Sequence, residues 1–240
     1  MLKSQLMFSN SIRWERLEAN YLRSSIEKCP APKNKVKRHG SLLPNTIRSI
    51  VCGPSNCGKT NLVISLMLHQ NGPRFRNFYV YLKFLYQPKY LFLEKVLQNV
   101  EGISCYKYNH NSEILSPHEA SPNPIIIFDD VACENQNNIR DYFAMGRHKN
   151  IDCFYINQTY TKIPKQLVRD NANLIILFKQ DDVNLRHIYD EHVGSDMTWS
   201  RFREMCSTVW SKPFNYIVIN KECERNKGCY RMKFDTFIIT

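Results

Sequence analysis

Gly53-Pro54-Ser55-Asn56-Cys57-Gly58-Lys59-Thr60 fits the pattern GxxxxGK[ST], with the apolar run Ile47 to Cys52 before it and an apolar-periodic stretch, Lys59 to Gln70, after it. A strand, a glycine-bounded loop and a helix in that order make a phosphate-binding loop. The glycines let the backbone turn tightly and aim successive N–H groups inward, so that they and the helix N-terminus cradle a phosphate. Lys59 is placed to reach the β and γ oxygens of a nucleotide, and the Thr60 hydroxyl to hold Mg²⁺. The nucleotide-binding set is therefore Gly53, Pro54, Ser55, Asn56, Cys57, Gly58, Lys59, Thr60 and the adjoining Asn61.

Farther along, Pro124-Ile125-Ile126-Ile127-Phe128-Asp129-Asp130 is a buried-strand run ending in two acids. A run of this kind puts carboxylates at the C-terminal edge of a parallel sheet, the same edge as the loop. Asp129 would hold Mg²⁺ through water, and Asp130 would polarise the attacking water, a task more often given to the longer glutamate. A third apolar run, Ile151 to Ile156, ends in Asn157-Gln158-Thr159. Gln158 reaches a γ-phosphate or its lytic water only if this strand lies between the other two; otherwise it is a strand-end hydrogen-bonding residue. Gly146-Arg147-His148-Lys149 closes the helix expected over Asn138 to His148. These basic residues either complement the helix dipole or supply Arg147 to the nucleotide of a neighbouring subunit, with Arg140 and Arg169 as other candidates.

From Ile47 onward short apolar runs alternate with helical patterns, which predicts an α/β fold with a mostly parallel sheet. Strands are expected at Ile47 to Cys52, Asn77 to Lys83, Ile103 to Tyr108, Ile125 to Asp129, Ile151 to Ile156 and Asn173 to Lys179. Helices are expected at Lys59 to Gln70, Lys89 to Asn99, Asn138 to His148, Asp182 to Val193 and Thr198 to Trp210. Phe214 to Ile219 and Gly228 to Ile239 alternate as a C-terminal antiparallel hairpin would. This gives residues 47–240 as one nucleotide-binding domain and residues 1–46 as a basic arm, with a helix from Ser11 to about Lys28. The arm carries nine lysines and arginines against Glu15, Glu18 and Glu27. It reads either as a solvated extension or as a contact for nucleic-acid phosphate.

In the whole chain of 240 residues, 33 lysines and arginines oppose 22 acids, a formal charge of +11 that makes a polyanionic partner plausible without naming it. No apolar run approaches the roughly 18 residues that cross a bilayer, and Met1 to Asn10 lacks a signal-peptide core. The nine cysteines form no CxxC pair or zinc-like spacing, so reduced thiols in a reducing compartment are expected.

GPSNCGKTN, IIIFDDVACENQNNIRDYF, GRHKNIDCFYINQTY and IPKQLVRDNANLIILFKQDD together resemble the genome-packaging ATPases of Maverick/Polinton elements and adinto-like viruses. These are relatives of the poxvirus-type packaging ATPases within the FtsK/HerA superfamily. The likeness covers about Gly40 to Trp210. It implies a RecA-like P-loop (ASCE) NTPase that uses ATP and Mg²⁺, forms a homo-oligomeric ring around double-stranded DNA, and drives that DNA without regard to sequence into a capsid. By that resemblance Lys59 and Thr60 match Walker A, Asp129 and Asp130 match the Walker B pair, Gln158 is the polar sensor and Arg147 the arginine finger. A capsid or portal component would be the further partner, in the host nucleus or cytoplasm or with the virion. The alternative is an ATP-binding switch or degenerate copy that does not turn over. A small-molecule kinase is disfavoured because no lid-like arginine cluster follows the second acid.

Overall fold

In a computed structural model, the described residues are 38–40, 42–109, 114–131, 137–224 and 228–238. The helix expected over Ser11 to Lys28, and nearly all of the basic arm, lie outside them. The chain runs β1 (Arg48–Cys52), α1 (Lys59–Met67), β2 (Asn77–Leu82), α2 (Pro88–Gln98), β3 (Ser104–Tyr108), β4 (Pro124–Asp129) and α3 (Asn137–Lys149). It continues through β5 (Asp152–Asn157), β6 (Leu174–Leu177), α4 (Asp182–His192), α5 (Trp199–Val209), β7 (Ile217–Asn220), β8 (Tyr230–Met232) and β9 (Thr236–Phe237). Between β5 and β6 come two short helical turns that the hydrophobic pattern does not announce, a 3₁₀ turn at Tyr160–Lys162 and a π turn at Lys165–Arg169.

The strands form one sheet in the order β3-β2-β4-β5-β1-β6-β7-β8-β9. The first six are parallel and the last three antiparallel. Both faces of the parallel part are covered, so its strands read as continuous apolar runs whose residues alternate between two cores. Ile50, Ile126, Tyr155 and Ile175 face one core with α3, α4 and α5, which contribute Phe143, Leu185 and Phe202. Val51, Ile127, Phe154 and Ile176 face the other with α1 and α2, which contribute Val63, Ile64, Leu93 and Val96. Cys52 and Cys153 are fully buried free thiols that pack as small apolar groups.

The C-terminal region forms the expected antiparallel hairpin from β7 and β8 and adds one further strand to it. Lys233 takes a left-handed φ of 57° and breaks the run Gly228 to Ile239 into β8 and β9, so that three antiparallel strands extend the sheet beyond β6. The reversal of direction has a simple cause. Two helices in succession, α4 and α5, carry the chain down and back up, and Trp210 Nε1 at the end of α5 donates to the carbonyl of Leu177 at the top of β6 (3.1 Å). The strand that follows can only run downward, with Ile217 opposite Leu177. Side-chain caps start both helices, Asp181 Oδ1 accepting from Asn184 N and Thr198 Oγ1 from Arg201 N. Among the described residues, no helix is long and apolar enough to cross a membrane.

One charged group inside this apolar sheet anchors the entry to β1. Asp152, fully buried at the start of β5, accepts from the backbone N–H of Ile47 (2.7 Å), and its other oxygen lies 3.1 Å from both Arg38 Nη2 and His39 Nε2. Removing one member of a buried charged cluster leaves the others uncompensated. Asp152→Ala should lower the free energy of unfolding by about 3–5 kcal/mol, read from the midpoint of a urea titration.

Candidate functional site

The loop between β1 and α1 is shaped by three backbone requirements. Gly53 is buried where a Cβ would lie 2.5 Å from Phe178 Cβ and 2.8 Å from Cys57 Sγ. Asn56 and Gly58 take positive φ values of 62° and 106°, and Gly58 stands as the N-cap of α1. The turn therefore closes tightly over Phe178, leaving the helix N-terminus, with its unpaired N–H groups, facing out of the sheet edge. The Lys59 ammonium folds back over this loop, donating to the carbonyls of Gly53 (2.5 Å) and Pro54 (2.8 Å). Pro54, Ser55, Asn56 and Asn61 are exposed, while Cys57, Gly58, Lys59 and Thr60 are half-buried.

Sheet order brings the acids to the loop. β5 lies between β1 and β4, the arrangement on which the reading of Gln158 depends. Val51 and Asp129 both pair with Ile156, one on each side. With strands about 4.8 Å apart, the two α-carbons are roughly 10 Å from each other. The side chains close that gap, Thr60 Oγ1 donating to Asp129 Oδ2 at 3.4 Å. Gln158, just past the end of β5, accepts from Ser55 Oγ through Oε1 at 3.1 Å. Asp130 takes a left-handed φ of 58°, and its N–H donates to the Ile156 carbonyl at 3.2 Å. At this residue the backbone leaves the strand conformation of β4.

Two residues that the sequence did not single out complete the arrangement. Tyr90, fully buried on α2, donates its hydroxyl to Asp129 Oδ2 at 2.8 Å. An apolar-periodic helix gives no sign that one of its core tyrosines caps a carboxylate 39 residues farther along the chain. Asn157 is buried at the end of β5, and its Oδ1 accepts from Gln158 N at 2.7 Å, fixing the backbone from which Gln158 projects. Asp129 is only 7% exposed, and burial pushes its pKa above the usual carboxylate value, with Asp130 adding to the rise. The hydrogen bond from Tyr90, the charge of Lys59 and the Thr60 hydroxyl oppose it. Thr60 Oγ1 and Asp129 Oδ2 are hard oxygen donors facing one another beside the helix N-terminus. They fit a magnesium ion whose remaining ligands come from water and phosphate.

The structure does not gather the arginines with these residues. Arg147 is exposed in the last turn of α3, which closes onto the start of β5 through Ile151 N to Gly146 O. The six residues of β5, at about 3.3 Å each, put it roughly 20 Å from the Gln158 end. It is out of reach of the loop in its own chain. Arg169 is buried, paired with Glu191 Oε1 at 2.7 Å and stacked over Tyr160 at 5.0 Å. Arg140, half-buried in the first turn of α3, stands nearer the loop edge of the sheet, donating to Asn137 Oδ1 at 3.3 Å.

No protein-family model matches the chain, and no curated protein matches it either. Solved structures do. The genome packaging NTPase B204 from Sulfolobus turreted icosahedral virus 2 in complex with AMP superposes with a TM-score of 0.55 at 12% identity, over 78% of this chain and 96% of that one. Its complex with ATP-gammaS gives 0.52 at 13%, over 80% and 98%. The complex with AMPPCP gives 0.52 at 14%, over 73% and 93%. At such identities the likeness is one of fold: a mostly parallel sheet flanked by helices, the RecA-like P-loop NTPase fold.

The electrostatics of Asp129 have a consequence for stability. Its folded-state pKa is raised, so its contribution to stability is fully present below the unfolded value near 3.9 and is lost as pH rises through the folded value. At neutral pH the ionised carboxylate therefore weighs against the fold. Asp129→Asn should melt at the same temperature as the wild type or higher at pH 7, with the advantage gone near pH 3, followed by circular dichroism. A lower melting temperature at pH 7 would contradict it.

Proposed function

We propose that the chain is an ATP-hydrolysing motor of the genome-packaging kind, acting on double-stranded DNA. The observation that carries the catalytic part is the meeting of β1 and β4 across the inserted strand β5: Thr60 stands 3.4 Å from Asp129, and Ser55 stands 3.1 Å from Gln158. A phosphate loop, an acid and a polar strand-end residue on one sheet edge suit hydrolysis of a phosphoanhydride. Mg²⁺, held by Thr60 with Asp129, would neutralise charge on the β and γ oxygens. The loop N–H groups and Lys59 bind the phosphates, Lys59 exchanging its contacts with Gly53 and Pro54 for phosphate oxygens. Asp130 takes the proton of the attacking water and Gln158 orients that water. An O–P bond forms at the γ-phosphorus, the bond to the bridging oxygen breaks, and ADP and phosphate result.

The packaging role is supported by the sequence blocks resembling Maverick/Polinton enzymes and by the fold shared with the genome packaging NTPase B204. In this reading the subunits form a ring. Arg147, out of reach of its own loop, then acts in trans on a neighbour's nucleotide, and the basic excess grips DNA phosphates without reading bases. A capsid or portal component would be the docking partner, in the infected nucleus or cytoplasm. The test is ATP hydrolysis with and without duplex DNA. Wild type should be stimulated by DNA, and Lys59→Ala should fall by about 10²–10³-fold, the usual effect of losing one electrostatic stabiliser. A wild-type rate no higher than that of Lys59→Ala under both conditions rules out the motor; ATP binding that persists without turnover would leave a nucleotide-dependent switch.

A further inference from the structure

A nucleotide held by the loop must lead its two ends in opposite directions. Asp129 and Gln158 both lie on the β5 and β4 side of β1, so a triphosphate whose terminal group faces them carries its sugar and base toward β6 and β7. A large apolar side chain stands exposed there. Phe214 follows α5 at the loop edge of the sheet, between Trp210, bonded to the Leu177 carbonyl, and Ile217, paired with Leu177. Its ring is 69% exposed, yet its Cδ1 lies only 3.6 Å from the place a Cβ on Gly58 would occupy. The ring thus borders the phosphate loop at the N-terminus of α1.

Two features set Phe214 apart from an incidental surface aromatic. Its φ is 61°, a backbone region that bulky residues rarely enter and that is found where the surrounding structure imposes it. Its neighbours are also already paired off. Phe178, 2% exposed, lies under the loop and meets Tyr216 in a tilted contact at 5.3 Å, and Tyr216 in turn meets Phe234 edge-on at 6.1 Å. Phe214 belongs to neither core and is exposed.

We propose that Phe214 is the platform on which the base of the bound nucleoside triphosphate stacks, an inference that rests on the nucleotide-binding reading above. Stacking engages the π-face that all bases share, so this contact adds affinity without selecting among them by their edges. Gly58 is part of the same design: a side chain there would touch the ring and would be strained at a φ of 106°.

The test compares equilibrium binding of ATP and of inorganic tripolyphosphate, which has no base, to wild type, Phe214→Ala and Phe214→Tyr by calorimetry with Mg²⁺ present. Phe214→Ala should weaken ATP by roughly 5- to 150-fold, the range for losing one stacked base. Tripolyphosphate should bind all three proteins equally, and Phe214→Tyr should hold ATP as wild type does. If Phe214→Ala keeps wild-type affinity for ATP, or loses tripolyphosphate as severely as ATP, the stacking assignment is overturned while the phosphate loop stands. A wild type that binds neither ligand overturns the nucleotide reading itself, and the stacking with it.

Discussion

Strand β5 lies between β1 and β4, and the hydrogen-bonded register across these three strands sets every distance in the candidate site. Because Val51 and Asp129 are both level with Ile156, the acid strand ends one residue short of Cys52, the last residue of the loop strand, two strand spacings away. That gap is too wide for two short side chains to close by themselves. It is bridged because Thr60 opens α1 on the β4 side of the loop, and because Asp129 points to the face that α1 and α2 cover. A slip of one residue in β4 would turn the carboxylate to the opposite face and bring Phe128 in its place.

The same face shows how a buried carboxylate is tolerated. Asp129 sits among apolar residues that raise its pKa, yet Tyr90 donates to it from the fully covered side and Thr60 from the open side. Oδ2 is thereby satisfied on two sides while the carboxylate remains at the mouth of the loop. An acid at such a site costs stability, and a core tyrosine that fixes its orientation offsets part of that cost. The polar group is kept where an apolar one would pack better, which suits a role in chemistry more than a role in folding.

Much of the fold was legible in the chain because both faces of the parallel sheet are covered. Continuous apolar runs such as Ile125 to Phe128 and Cys153 to Ile156 then stand out against the amphipathic helices between them. The loop was legible because its chemistry requires glycine at Gly53, against Phe178 and Cys57, and at Gly58, with its positive φ. Tyr90 and Asn157 were not legible, since their partners are set by packing between elements far apart in sequence. The C-terminal antiparallel hairpin was legible from its alternation, but the run Gly228 to Ile239 does not show that Lys233 leaves the strand conformation and splits off β9. Arg147 is read from its position at a helix end as a residue for a neighbouring subunit's nucleotide, and the direction of α3 carries it away from the loop of its own chain.

What the sequence determined by itself is local: a strand, a glycine-shaped loop and a helix able to hold a phosphate, and two acids at the end of another strand. Periodicity and backbone conformation act over a few residues, so such features are written where they occur. Tertiary structure alone decided the order of the strands, the meeting of Thr60 and Tyr90 on one oxygen of Asp129, the isolation of Arg147 and the placing of Phe214 beside Gly58. Those depend on which elements pair across the sheet and which face each helix covers, and no single segment carries that information.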